Sequence, residues 1–188
     1  MKKFYSNWDE KEYYKYIKEY KLPKNKIIKE FSNGMKMKVK LICALSHHPK
    51  LLILDEPTNG LDPVFRYEIL DLLANEVEKN KVSILISTHI TTDLEHIADE
   101  IIFINNGEIL LDMNKKELFE TYKIARCDKD DFIKIDKSYY SRYLKYKDDY
   151  MLLIKDIGKF TKKYNYEIRR NSIEELMLMF IKGVENNE

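Results

Sequence analysis

Leu51-Leu52-Ile53-Leu54-Asp55-Glu56, running on into Pro57-Thr58-Asn59-Gly60-Leu61-Asp62-Pro63, is the stretch on which the fold turns. An apolar run ends abruptly in two carboxylates and gives way to a loop punctuated by Pro and Gly. A short apolar run bounded by turn formers predicts a buried strand, as in a parallel sheet covered on both faces. Ligands of open α/β sheets sit just beyond the carboxyl ends of the strands. Two acids in that place suit a magnesium ion and an activated water. The rest of the chain must then supply a phosphate for them to act on.

Outward from this stretch the pattern is one of alternation. Upstream, residues 8–20 mix Trp8, Tyr13, Tyr14, Tyr16 and Ile17 with Lys and Glu, and read as a surface helix closed by Pro23. Phe31-Ser32-Asn33-Gly34-Met35 precedes a helical pattern with Val39, Ile42, Cys43 and Leu45 inward. That helix ends near His47-His48-Pro49. Downstream, a helix carrying Ile69, Leu70, Leu72, Leu73 and Val77 stops at Asn80-Lys81, and Val82 to Ile86 is a strand ending in Ser87-Thr88-His89. Thr92-x-x-Glu95 has the pattern of a capping box, and Asn106-Gly107 predicts a hairpin between Ile101–Ile104 and Glu108–Leu111. Strand, helix, strand, helix, strand predicts an α/β fold with a parallel sheet and an antiparallel edge.

The texture changes near Tyr122. Short strands are expected over Lys123–Ala125, Phe132–Ile135, Met151–Ile154 and Tyr166–Arg169. A last helix opens at Ser172-x-x-Glu175. The expected organisation is therefore residues 1–121 as one domain and 122–188 as a small α+β extension.

Bulk numbers limit the functional classes. The 188 residues suit one domain with an appendix, and 44% apolar residues suffice for a core. Charged residues make up 35%, yet the net charge is only +1, which removes a whole-chain electrostatic argument for binding nucleic acid or an anionic membrane. Cys43 and Cys127 lie far apart, without metal-ligand spacing, and fit free thiols in a reducing compartment. No apolar h-region opens the chain and no run is long enough to span a bilayer, so a cytoplasmic protein is expected. The Tyr139–Tyr146 run could stack on single-stranded nucleic acid. Asp148 and Asp149 follow it and no groove-forming motif accompanies it, so no nucleic-acid partner is expected.

Taken together, Phe31-Ser32-Asn33-Gly34-Met35, Leu51 to Glu56, Asn59-Gly60-Leu61-Asp62 and Ser87-Thr88-His89 resemble, in order and spacing, the signature motif, Walker B, D-loop and switch histidine of ABC transporter ATP-binding subunits. The resemblance covers about residues 5–120 and is nearest to bacterial export-type or ABC-2-type subunits. It implies a partial P-loop NTPase (ABC ATPase) three-layer fold, with ATP and Mg²⁺ as cofactors. By resemblance, Asp55 holds magnesium through a water, Glu56 polarises the attacking water, and His89 contacts the γ-phosphate. Ser32, Asn33, Gly34 and Met35 would grip the γ-phosphate of ATP held by an opposite subunit, and Asp62 would link two nucleotide sites. The implied partners are a transmembrane permease and a second ATP-binding subunit, which would place the chain at the inner face of the membrane.

Two departures matter. Asn33 stands where the common signature Leu-Ser-Gly-Gly-Gln has its first glycine, and Met35 replaces the glutamine, so a side-chain donor is lost. A phosphate-cradling Gly-rich loop with Lys-Ser/Thr should lie upstream of the signature, yet no glycine precedes Gly34. Gly158-Lys159 lacks the leading glycine and follows the acids. The expectation is a chain truncated to the C-terminal part of such a subunit, unable to hydrolyse ATP alone. The alternative is a non-catalytic module that lends its signature motif in trans to an intact subunit.

Overall fold

The computed structural model describes residues 5–146, 148–164, 166, 168 and 170–186. They form two compact units, Met1–Asp93 and Leu94–Glu188. The division falls earlier than the change of texture at Tyr122. The reason is packing: Ile101, Phe103, Leu111 and Leu118 share one buried cluster with Ile124, Met151, Leu153, Ile173, Leu176 and Met179.

The first unit begins with helix α1 (Glu10–Glu19), N-capped by Asp9, whose carboxylate accepts from the amides of Lys11 and Glu12. Tyr16 and Ile17 form its buried face. Helix α2 (Asn33–Leu45) starts at Ser32, whose hydroxyl accepts the Met35 amide at 3.2 Å, and buries Leu41, Ile42 and Leu45. Strand β1 (Leu51–Asp55) leads to helix α3 (Pro63–Asn80), capped by Asp62 with Pro63 at its first turn, where a missing N–H does no harm. Lys81 ends α3 in the left-handed region, at φ 55°. Strand β2 (Ser83–Ser87) then pairs with β1 in parallel, with Asp55 opposite Ser87.

The sheet of this unit departs from expectation. Leu52 is buried, but its neighbours on the opposite face, Leu51 and Ile53, are 54% and 68% exposed, and Leu85 of β2 is 55% exposed. Within the described residues β1 and β2 form a two-stranded sheet. Helices α2 and α3 bury their own apolar residues, while among the described residues Leu51, Ile53 and Leu85 on one face of the sheet are exposed.

Helix α4 (Thr91–Ile97) crosses the boundary between the units. The capping box expected at Thr92 and Glu95 is not made. Thr92 already lies inside the helix and its hydroxyl accepts from Arg66, while the Glu95 carboxylate accepts from the Ile173 amide at 2.9 Å.

In the second unit, β3 (Glu100–Asn105) and β4 (Glu108–Asn114) make the expected hairpin, as a ribbon separate from the parallel pair. Asn106 and Gly107 both have positive φ, 50° and 81°, as a two-residue type I′ turn requires. Helix α5 (Lys115–Thr121) is capped by Asn114. A four-stranded antiparallel sheet follows, in the order β5 (Lys123–Cys127), β7 (Asp149–Ile154), β6 (Tyr140–Tyr146), β8 (Val184–Glu185). The short helix α7 (Ile157–Lys163) comes after β7. Helix α8 (Ile173–Lys182) opens with the Ser172–Glu175 capping box read from the sequence.

Three local readings change. Phe132–Ile135 is not a strand; Asp128 caps helix α6 (Lys129–Lys134), and Asp130 and Asp131 in its first turn suit the dipole. The tyrosine-rich run is strand β6, with Tyr140 and Tyr143 packed into an aromatic cluster that includes Phe132, Tyr150 and Phe160. The strand expected over Tyr166–Arg169 lies partly outside the described residues, and Tyr166 and Ile168 are not in a strand. Among the described residues no helix is long and apolar enough to cross a membrane.

Candidate functional site

Asp55, Glu56 and His89 meet at the carboxyl ends of β1 and β2, where the sequence placed them. Pairing Asp55 with Ser87 puts the Ser87 hydroxyl on the Asp55 carboxylate. The next residue, Glu56, has φ 47°, a left-handed backbone that a glutamate rarely adopts. Its amide donates to the Ser87 carbonyl at 2.9 Å, and its carbonyl accepts from Asn59 at 3.2 Å. The chain therefore turns sharply there, at a cost of about 1–3 kcal/mol that the surroundings must offset.

The turn aims the Glu56 carboxylate at His89. Oε1 accepts from the His89 backbone amide at 3.1 Å and lies 2.7 Å from its Nδ1. An ionised carboxylate has no proton to give, so Nδ1 must carry the hydrogen. Nε2 is then left facing outward on a ring that is 68% exposed. Oε2 lies on the Thr88 side, 3.5 Å from its hydroxyl. One carboxylate oxygen fixes the histidine; the other accepts from the Thr88 hydroxyl and keeps a lone pair for a small ligand such as water.

For magnesium the fit is partial. Among the described residues no group of three or more His, Cys, Asp or Glu side chains could hold a metal. Magnesium keeps several waters and needs only one or two carboxylates when phosphates complete its shell. The exposed Asp55, already oriented by Ser87, fits that role beside a nucleotide rather than in a cage made by protein alone.

Ser32, Asn33, Gly34 and Met35 form a second cluster, with no hydrogen bond to Glu56 or His89. At a helix start the first amides lack partners within the helix. The Met35 amide is instead taken by the Ser32 hydroxyl, leaving those of Asn33 and Gly34. Gly34 is also explained differently. A Cβ there would lie 2.4 Å from Cγ of Phe65, so the missing side chain admits an aromatic ring of α3. Beside it, Lys38 is 5% exposed, bonds Glu68 at 2.6 Å and lies 5.1 Å from the Phe65 ring centre. Asp62 caps the helix that carries Phe65, accepting from Val64 at 3.1 Å and Phe65 at 3.2 Å. Ser32–Met35 and Asp62 thus stand on two helices locked together.

Sequence reasoning missed a buried knot beneath these groups. Asp93 is 3% exposed and accepts from the Thr58 hydroxyl and from Nε of Arg66; Nη2 of the same arginine donates to Thr92. Arg66 follows Asp62, and Asp93 follows His89, by four residues each. That spacing was visible, but nothing in it shows that the two turns face each other.

Comparisons with known proteins fit this geometry. Residues 14–92, which hold every candidate residue, match a family described as "AAA domain, putative AbiEii toxin, Type IV TA system". The chain is 32% identical over 122 residues to the ABC transporter ATP-binding protein YtrB of Bacillus subtilis, covering 65% of this chain and 42% of that protein. It is 33% identical over 160 residues to a putative ABC transporter ATP-binding protein of Mycoplasma pneumoniae, covering 82% and 48%. Among solved structures, cbiO1 of Clostridium perfringens, part of the ABC transporter complex cbiONQ, superposes with a TM-score of 0.51 at 32% identity, over 58% of this chain and 45% of that one. The chain spans about half the length of these relatives or less.

Proposed function

We propose, from the premise that its relatives are ABC transporter ATP-binding proteins and its fold is that of ABC ATPases, that this chain is the catalytic and signature-bearing part of such a subunit. Its chemistry is ATP hydrolysis coupled to transport by a membrane permease partner, with a second ATP-binding subunit opposite. The observation that carries the reading is the Glu56–His89 pair at the carboxyl ends of two parallel strands.

Each residue has a defined task. Glu56 orients and deprotonates the attacking water through its remaining oxygen. His89, held at Nδ1, presents Nε2 towards the γ-phosphate; it donates from there only as the imidazolium, since Nδ1 keeps its own proton. Asp55 would hold magnesium through a water, and the ion would neutralise phosphate charge. Ser32 caps α2, so the Asn33 and Gly34 amides offer a positive helix end to the γ-phosphate of the opposite subunit. Asp62 stands beside that end and would face the partner's site.

The 188 residues contain no phosphate-cradling loop, so the purified chain by itself is expected to show no magnesium-dependent turnover. A second reading, in which the chain lends only Ser32–Met35 in trans, is supported by the separation of that cluster from Glu56 and His89. The test joins this chain to the part of YtrB that it does not span. Light scattering of the chimaera should report dimerisation on adding Mg·ATP. Asn33→Glu favours the helix dipole but repels phosphate, so it should abolish that dimerisation while leaving the fold intact. Dimerisation independent of ATP, or insensitive to Asn33→Glu, would refute the assignment of Ser32–Met35.

A further inference from the structure

We infer that Asp93 is a positioning residue that holds the Glu56–His89 pair in register and ties it to the helix capped by Asp62. The inference rests on the reading of Glu56 and His89 as the reacting pair, but its geometry stands without that reading.

The argument begins with strain. Glu56 sits at φ 47° and persists there only if its neighbours over-determine the turn. Upstream it is held by the β1–β2 ladder, through Ser87. Downstream, the chain is anchored two residues later by Thr58, which is 1% exposed and gives its hydroxyl to Asp93. Asp93 in turn lies one helical turn beyond His89, with its amide bonded to the Ile90 carbonyl at 3.0 Å. One buried carboxylate thereby grips both the loop that leaves Glu56 and the segment that leaves His89. Its second oxygen takes Nε of Arg66, whose other arm reaches Thr92. A buried carboxylate needs such satisfaction, and removing it takes the partner from Nε of Arg66 and from the buried Thr58 hydroxyl.

The knot therefore joins three segments carrying candidate residues: Glu56 with Thr58, Asp62 with Arg66, and His89 with Asp93. If it only stabilised the fold, its loss would lower stability and leave the Glu56–His89 contact as it was. If it positions the pair, its loss frees them from each other even while the unit remains folded.

The experiment uses the ¹⁵N-labelled full chain without nucleotide and reads the His89 amide, which donates to Glu56. In the parent, Glu56→Gln should shift that amide resonance and speed its hydrogen exchange about tenfold, as expected when a charged acceptor gives way to a neutral one. In an Asp93→Ala background the same substitution should leave resonance and exchange unchanged. Should Asp93→Ala not fold, Thr58→Val removes one hydroxyl at nearly constant shape, and the response to Glu56→Gln should fall at least threefold. Asp93→Glu, which keeps the charge, should recover part of it. A full response to Glu56→Gln in either folded background would overturn the inference, whatever the loss in denaturant midpoint. Failure of the functional reading would appear separately, as a chimaera without Glu56-dependent turnover whose His89 amide still responds.

Discussion

At the scale of single residues, Gly34 separates two explanations that one letter of sequence cannot. A glycine in a signature motif invites the idea of backbone meeting ligand, whereas the structure shows Phe65 filling the space where a Cβ would stand. Gly34→Ala should destabilise the protein by about 1–3 kcal/mol through overpacking, measured by urea unfolding. Combined with Phe65→Ala the penalty should be much less than additive, because the same contact is relieved; additive losses would return the explanation to the ligand side. That Asp55, Glu56 and His89 lie at strand ends was legible in the hydrophobic pattern, because strand ends converge in a parallel sheet; their roles rest on the resemblance. Asp93, Arg66 and Thr58 were not, because each is ordinary in its own helix or loop and gains meaning only from tertiary pairing.

At the scale of elements, caps were the most readable feature where their residues agreed with the neighbouring pattern. Ser172 and Glu175 form the box they spell, and Ser172→Ala should cost about 1 kcal/mol of stability, seen in chemical unfolding. Thr92 and Glu95 spell the same box and do not form it, since Arg66 and Ile173 offer their side chains better partners. Phe132–Ile135 read as a strand from its apolar ends, but the Asp128 cap and the acids after it carry a helix. The largest surprise is the face of the parallel pair. Leu51, Ile53 and Leu85 have the apolar character of a two-sided strand, and that character is why a covered sheet was expected; in this chain one side stays in contact with solvent. Such a face favours self-association. Ile53→Lys with Leu85→Lys should shift the purified chain towards monomer in sedimentation velocity with unchanged circular dichroism. An unaltered distribution would mean that association, if any, runs through another surface.

At the scale of the whole molecule, the α/β order of the first unit was carried by hydrophobic periodicity, whereas the second unit was only half legible. Its strand β6 is written in tyrosines, and alternation among aromatics does not distinguish core from surface until the cluster around Phe160 is seen. Each unit holds an acid of raised proton affinity, the half-buried Tyr20 in the first and the buried Cys127 in the second. Burial pushes the Tyr20 hydroxyl up to about 12, with nearby Glu19, Glu76 and Asp71 adding to the effect. Burial first, and then Asp131, Asp128 and Asp149, push the Cys127 thiol up to about 12. Each group is neutral when folded and ionises more readily when unfolded. Its contribution is therefore complete below the ordinary values of 9.0 for the thiol and 10.0 for the phenol, and is lost as pH rises towards 12. The denaturant midpoint should fall steadily from pH 9 to 12, and Cys127→Ala should flatten the early part of that fall. The central claim, that Glu56 beside His89 is the water-activating half of an ATPase site, is tested most directly by magnesium-dependent ATP turnover of the chimaera with and without Glu56→Gln. The account predicts a loss of about 10²–10⁴-fold, the range for removing a general base; turnover that survives Glu56→Gln within a few-fold would contradict it.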